Sequence, residues 1–461
     1  MVLEAITDYK NYCFLLLLGT FCALRTCAAM DLSIPHVEAS VPARVDPGET
    51  WVDRLNSWLE TCWRRGWLSR PQLYPDALLS ASRRITGLDE FGADNGWAGR
   101  LDLLCRALHD EASLSPLGTT IAYGQLVAAL SNRLRAVELW RRHPEIADVP
   151  ISRPILIIGQ MRSGSTRTQR MLGCDPQLTC TRFFESWNPL PRWSLGGLDD
   201  RVLRAWLALR IARWLNPRFD VVHPTGPREI DEEIGIHNIA LFGAAFEAQW
   251  RIPSFARAIE NSDNRLVYAE FRRFLQTIRW LRRDTKDKPW VLKLPQFGQD
   301  LRAVSEAFPD ARVIVLDRDP VSVVSSSASL VFNQMGVQSR EVDPAWIGRE
   351  WLWKTHLRRR RISEGLDRHG GPVIRVNYDD MQADWHSQIK RIYTGFGLDL
   401  TPGSERKMTR FAGRSQHERL RAHEYRPEQY GLSASKIARA LDCANWPQDL
   451  FGSAVLSASA A

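Results

Sequence analysis

The chain predicts an α/β fold: a mainly parallel sheet flanked by helices, with a helical extension in front of it. Three observations carry this. Four short apolar runs, Ile155 to Ile158, Trp290 to Lys293, Val313 to Leu316 and Val373 to Val376, alternate with helical stretches, which is how a chain builds parallel strands joined by crossover helices. The first run breaks at Gly159 into a short loop and turns helical from Arg167 to Leu172, an order that turns backbone N–H groups at a helix start onto an anion. Residues 51 to 143 instead space their apolar side chains at helical intervals, as in Trp51, Leu55, Trp58, Leu59 and Cys62, then in Ala98 to Ala112 and Ala122 to Trp140.

In chain order, residues 1–29 are an apolar leader. Its uncharged run from Tyr12 to Leu24 falls short of the roughly 17 to 25 residues that span a bilayer. Glu4, Asp8 and Lys10 give the leader mixed charge, unlike a signal peptide, and Cys27-Ala28-Ala29 is a poor cleavage site. The expectation is a true start at Met30 or a loose membrane-surface anchor. Residues 30–150 are the helical extension, and the proline-bounded stretch Pro144 to Pro154 ends it. Residues 151–435 form the α/β core and 436–461 a tail that ends in small residues.

Composition narrows the chemistry. A chain of 461 residues with 44% apolar residues has material for a sizeable core. Its eight cysteines form no C-x-x-C pair and have no histidine at zinc spacing, so neither a metal site nor a disulfide framework is expected, and the thiols read as reduced and cytoplasmic. The net charge of +8 admits nucleic acid and polyanionic small molecules alike. The run Arg358 to Arg361 follows Trp351, Leu352, Trp353 and Leu357 and reads as the solvated face of an amphipathic helix.

Two elements point to the ligand. Gly159 and Gly164 have four residues between them, as in the Walker A pattern, but Ser165 stands where the triphosphatase lysine belongs, which argues against γ-phosphate chemistry. Arg162, Ser163, Gly164, Ser165 and Thr166 form the candidate anion cradle. The strand Val313 to Leu316 leads to Arg318, and Pro320 suits the first turn of a helix, so Arg318 is expected at the strand's carboxyl end, where open α/β sheets bind ligands. Ser326, eight residues further on, can face the same anion.

On these residues the chain resembles the sulfotransferases that use 3′-phosphoadenosine 5′-phosphosulfate (PAPS). Met161 to Thr166 is similar to their phosphosulfate loop, and Arg318 with Ser326 to their 3′-phosphate clamp. Phe184-Glu185-Ser186-Trp187-Asn188-Pro189, Trp290 to Pro295, Phe308 to Arg312, Asn377 to Met381 and His423 to Tyr425 before Tyr430-Gly431-Leu432 resemble the large bacterial branch. The resemblance runs from about residue 85 to about 435. It implies a P-loop-like sulfotransferase core, PAPS as co-substrate, and in-line transfer of a sulfuryl group to a hydroxyl of a small molecule, carbohydrate or lipid.

Such a transfer needs a base for the acceptor hydroxyl and a cation for the leaving oxygen, and it requires no metal. Glu185 is the first candidate base, by analogy with tyrosylprotein sulfotransferases, and is expected near a strand end; the competing reading is a helix cap or a partner for an arginine such as Arg192. His223 is the rival base, since a near-neutral imidazole suits proton transfer. Glu232 and Glu233, in a stretch that resembles the family's acidic acceptor-side segment, are the acceptor-side candidates. Lys293 is the candidate for the leaving oxygen. Many relatives have Lys-Ser-Pro where this chain has Lys293-Leu294-Pro295, and a histidine two places on; here that place is Phe297, which removes one possible proton acceptor. A P-loop kinase or triphosphatase, and a silent anion-binding module, remain the alternative functions. Partners are expected to be a hydroxylated acceptor and no nucleic acid, with a weak membrane-surface contact as the further option.

Overall fold

The computed structural model describes residues 51–192, 199–418, 426–443 and 445–447. The leader, the alternative start at Met30, the His423 to Tyr425 motif and the end of the tail lie outside these residues. The four apolar runs are the four strands of one sheet: β1 (Ile155–Gly159), β2 (Val291–Lys293), β3 (Arg312–Asp317) and β4 (Val373–Asn377), in the order β2-β1-β3-β4 and all parallel. β1 is buried along its whole length, which is why its sequence is continuously apolar rather than alternating. β4, at the edge, is exposed at three of its five residues. Since all strands run the same way, the carboxyl ends of β1, β2 and β3 open on one edge.

Each face of the sheet has its own core. Leu156, Ile158, Val313 and Val315 pack with Phe271, Phe274 and Phe308, while Ile155, Ile157, Ile314 and Leu316 pack with Met171, Ile389 and Met408. Phe297 belongs to the first core and is fully buried, its ring 5.7 Å from that of Phe271. A side chain at this position therefore serves packing.

The helical extension comprises Trp51–Arg64, Pro75–Thr86, Trp97–Asp110 and Pro116–Arg142. The last helix starts on a Ser115 cap, whose hydroxyl accepts from the Gly118 amide, with Pro116 at its first position. It lies so close to helix Pro320–Gln338 that a Cβ on Gly118 would fall 1.9 Å from the Gln338 carbonyl. Its far end delivers Trp140 into the core of the sheet.

The arginine run departs from its expected place. Arg359 and Arg360 are solvated, but Arg358 is buried, in the electrostatic field of Glu247, Glu260, Asp300 and Glu350. Glu247, Glu260 and Asp300 come from distant segments and Glu350 from two turns earlier on the same helix, so the run itself carried no sign of them. Beside them Lys354 Nζ lies 2.7 Å from Glu247 and 2.8 Å from Glu260, and Arg257 pairs with Glu350 at 2.5 Å. The network ties helix Pro344–Leu366 to helices Ala244–Gln249 and Pro253–Glu260. Removing one partner strands a buried charge, which costs about 3–5 kcal/mol. Lys354→Met is expected to lose about that much in urea unfolding, whereas Arg360→Met, at a solvated site, is expected to change stability by less than about 0.5 kcal/mol.

Candidate active site

The chain passes from β1 through a short turn into a helix, in the order the sequence predicts. β1 ends at Gly159, where a Cβ would fall 2.6 Å from the Leu316 carbonyl of the neighbouring strand. Arg162 adopts a left-handed φ of 65° and Gly164, the cap residue, one of 85°. Buried Ser163 turns its hydroxyl inward, donating to the Gln160 carbonyl at 2.7 Å. Helix Ser165–Leu172 follows, and its first amides, at Ser165, Thr166 and Arg167, have no carbonyl within the helix to bond. These amides, with the Ser165 and Thr166 hydroxyls on the same first turn, are the candidate donors to an anion.

β3 runs alongside β1 and brings Arg318 to this loop: its guanidinium donates to the Arg162 carbonyl at 2.5 Å and lies 4.0 Å from the centre of the Tyr378 ring. Neither neighbouring aspartate holds it. Asp319 caps helix Pro320–Gln338 through the Ser322 amide, and Asp317 lies 3.5 Å from Arg375. The Arg162 side chain in turn donates to the Ser326 hydroxyl at 3.1 Å. Arg162, Arg318 and Ser326 are thus linked by hydrogen bonds, with the Tyr378 ring against Arg318. A Cβ on Gly164 would come within 2.9 Å of that ring, so glycine keeps the cradle open.

A second group of side chains collects at the end of β2. Lys293 Nζ lies 2.5 Å from Glu232, and the Lys293 amide donates to Glu233 at 2.8 Å. Glu233 is fully buried, and burial pushes its pKa up to about 8, so at neutral pH it is a hydrogen-bonding strut between β2 and helix Ser165–Leu172, whose Gln169 amide reaches it at 3.4 Å. His223 Nε2 stands 2.9 Å from Asp231, which also accepts from Thr225 at 2.6 Å. Burial pulls the His223 imidazole down, but the Asp231 charge and hydrogen bond, with Glu232 beyond, outweigh it and hold the pKa above the ordinary 6.5. Asp231 is held well below the usual carboxylate range, because His223, Thr225 and Arg170 together overcome its burial. By linkage the His223–Asp231 pair adds stability that is full below pH 6.5 and is lost as pH rises through the folded-state value.

Arg170, on the phosphate-loop helix, donates to the carbonyls of Ile230 at 2.9 Å and Pro224 at 3.0 Å, so the His223 to Glu233 segment is anchored to the same helix that forms the cradle. The ligand atoms of His223, Asp231 and Glu232 lie within 4.8 Å of one another, close enough for a cation. The Lys293 ammonium already supplies positive charge at that point.

Glu185 is placed differently from its expected position at a strand end. It is the third residue of the short helix Phe183–Trp187, where its carboxylate accepts from the Arg182 amide at 2.9 Å and from Arg282 Nε at 2.7 Å. Both oxygens are engaged, by a cap and a buried ion pair with Arg282 rather than Arg192. They face a separate cavity of about 550 Å³, lined by Gly173, Asp175, Arg282 and Lys288, beyond the far end of the phosphate-loop helix. Two residues of the site carried no assigned role in the sequence. Tyr378 could have been suspected as an aromatic just beyond a strand's carboxyl end; Asp231 gave no local signal, because its partner lies eight residues back across a loop.

A parallel sheet whose strand ends carry an amide cradle and two arginines defines a class of α/β proteins that bind phosphorylated or sulfated ligands. Comparison narrows it: the model of the sulfotransferase family matches residues 154–402, just over half the chain, and the chain belongs to that family. The solved sulfotransferase STF1 from Mycobacterium tuberculosis is 26% identical with a TM-score of 0.66, over 81% of this chain and 99% of that one. Sulfotransferase STF9 from Mycobacterium avium, 24% identical, shares the fold with a TM-score of 0.71 over 82% of this chain and 95% of its own. No curated protein matches the chain.

Gly164→Ala forces an L side chain into the left-handed region, which costs roughly 1–2 kcal/mol, and pushes a methyl group against Tyr378. Urea unfolding is expected to show that loss.

Proposed function

We propose that the chain is a PAPS-dependent sulfotransferase whose acceptor is a hydroxyl of a small molecule, carbohydrate or lipid. The observation that carries this is the hydrogen-bonded chain Arg318, Arg162, Ser326 at the loop that leads into the helix amides of Ser165 and Thr166. Two anionic groups of one nucleotide need two separate cation-bearing turns, and here the turns are in hydrogen-bond contact. PAPS, when bound, supplies the activated sulfuryl group.

The amides of Ser165 to Arg167, with Arg162, hold the 5′ end, and Arg318 with Ser326 holds the 3′-phosphate. An arginine fork takes two phosphate oxygens and a hydroxyl a third, which selects against nucleotides lacking that phosphate. Of the two candidate bases, His223 is favoured, because Asp231 fixes one ring nitrogen and leaves the other to accept the acceptor's proton. Lys293 stands one strand away from the cradle and serves the leaving oxygen, with Glu232 as its partner until then. Glu233 positions the β2 end, and Glu185 holds the framework through Arg282. The work of the residues is charge compensation and placement, as a loose sulfuryl-transfer transition state demands.

In calorimetry, adenosine 3′,5′-bisphosphate is expected to bind and ADP with magnesium to bind far more weakly; preference for ADP would overturn the reading. Arg318→Ala should collapse the discrimination between the bisphosphate and 5′-AMP, and unchanged discrimination would remove the clamp. His223→Asn is expected to slow turnover by about a hundredfold or more, within the range for loss of general-base catalysis. Because the base must be neutral, the acid limb of the kcat/KM profile should lie above pH 6.5. Asp231→Asn should move that limb to lower pH; a profile that stays put would exclude His223 as the base.

A further inference from the structure

Among the described residues, helix Arg201–Leu215 has one side packed against the core and large apolar side chains exposed on the other. Ala205 and Leu209 are buried against Phe183 and Phe184. On the opposite side Leu203 is 62% exposed, Trp206 48% and Trp214 39%. At 100° per residue these three fall within a stripe along one side of the helix, and so does Arg210, whose guanidinium lies 5.6 Å from the Trp206 ring. The stripe continues onto a second helix: the Trp214 ring meets that of Trp51 at 4.2 Å, and Trp58, two turns beyond Trp51 and on the same side of its helix, is 41% exposed. Large exposed tryptophans in one patch on a monomer mark an interaction site.

The charges on this face choose the partner. Of the four arginines of helix Arg201–Leu215, three pair with Asp199, Asp200 and Asp220, while Arg210, and Arg218 just after the helix, make no ion pair among the described residues. Exposed tryptophan and leucine beside Arg210 suit the headgroup plane of an anionic bilayer, rings at the interface and the guanidinium on a phosphate. No described helix is long and apolar enough to cross a membrane, so the contact is with a surface.

We propose that this face docks on an anionic lipid surface. The helix is tied to the site: Arg213 pairs with Asp220 at 2.9 Å and donates to the Thr225 carbonyl at 2.6 Å, across the turn that carries His223. Docking sets the His223 end of the cleft beside the lipid, where amphiphilic hydroxyls are presented; this bearing on the acceptor rests on the transfer reading above, whereas the docking does not.

The test is co-sedimentation of the full chain with vesicles of phosphatidylglycerol and phosphatidylcholine in equal parts, against phosphatidylcholine alone. Binding is expected to the anionic vesicles, to weaken with added salt, and to fall at least tenfold in Leu203→Glu/Trp206→Glu, while Leu266→Glu, an exposed leucine on another helix, binds as the unmodified chain does. Thermal melting checks that each variant is folded; should the double variant fail to fold, Trp206→Ser, milder, is measured in its place and is expected to lose several-fold. Unmodified binding by the double variant overturns the proposal and assigns any vesicle binding to another part of the chain. Absence of vesicle binding, with a dimer in light scattering that the double variant breaks, overturns it in favour of a second copy of the chain. Neither readout uses the donor, so failure of the sulfotransferase reading would leave the vesicle result intact.

Discussion

The site depends on the side-by-side, parallel pairing of β1 and β3. Ile157 and Ile314 are register partners in the middle of that pair, and two residues past its end each strand has released its chain into a turn. Because both strands point the same way, both turns leave at one edge. Arg318 can then reach the Arg162 carbonyl, and the Arg162 side chain can reach Ser326 on the helix after β3. Had the pair been antiparallel, the two arginines would lie at opposite ends of the sheet. The tight approach at Gly159, with the Leu316 carbonyl where a Cβ would sit, shows how closely the two backbones run at that edge.

What was legible in the sequence follows from this. Strands buried on both faces must be continuously apolar, so β1 and β3 announced themselves, and the glycines and prolines behind them marked where the chain turns. Arg162, Arg318 and Ser326 were legible because each sits at a fixed, short distance from a strand end. Glu185 was harder to place. Phe183-Phe184 fits the end of a strand or the start of a helix equally well, and the partner that decides its role, Arg282, lies 97 residues away. Arg358 was misread for the same reason: four arginines in a row look solvated until distant glutamates are folded against the first of them. A contact between segments far apart in the chain, such as Tyr378 with Gly164, leaves no spacing to read.

The buried ionic network and the site are different uses of the same chemistry. Around Lys354 and Arg257 every charge is answered by side chains held on packed helices, and the network's contribution is to fix three helices relative to one another. Around Lys293 the counter-charge is a single glutamate on a loop, and the side chains at that end of the sheet are less completely enclosed. A cation held by one partner on a loop can change partners; a cation held by three on helices cannot without unfolding them.

That difference bears on how the proposed transfer would begin. Lys293 is nearly buried, and a buried ammonium needs an anion beside it, which Glu232 provides in the ligand-free chain. An incoming phosphosulfate brings anionic oxygens to the neighbouring cradle, and Lys293 can pass from Glu232 to them with no net desolvation of charge. Glu232 is then left facing the His223–Asp231 pair, where its negative charge favours the imidazolium that forms when the acceptor hydroxyl gives up its proton. Donor binding and base function would thus be coupled through one carboxylate, with Arg170 holding the segment that carries it to the helix that carries the cradle.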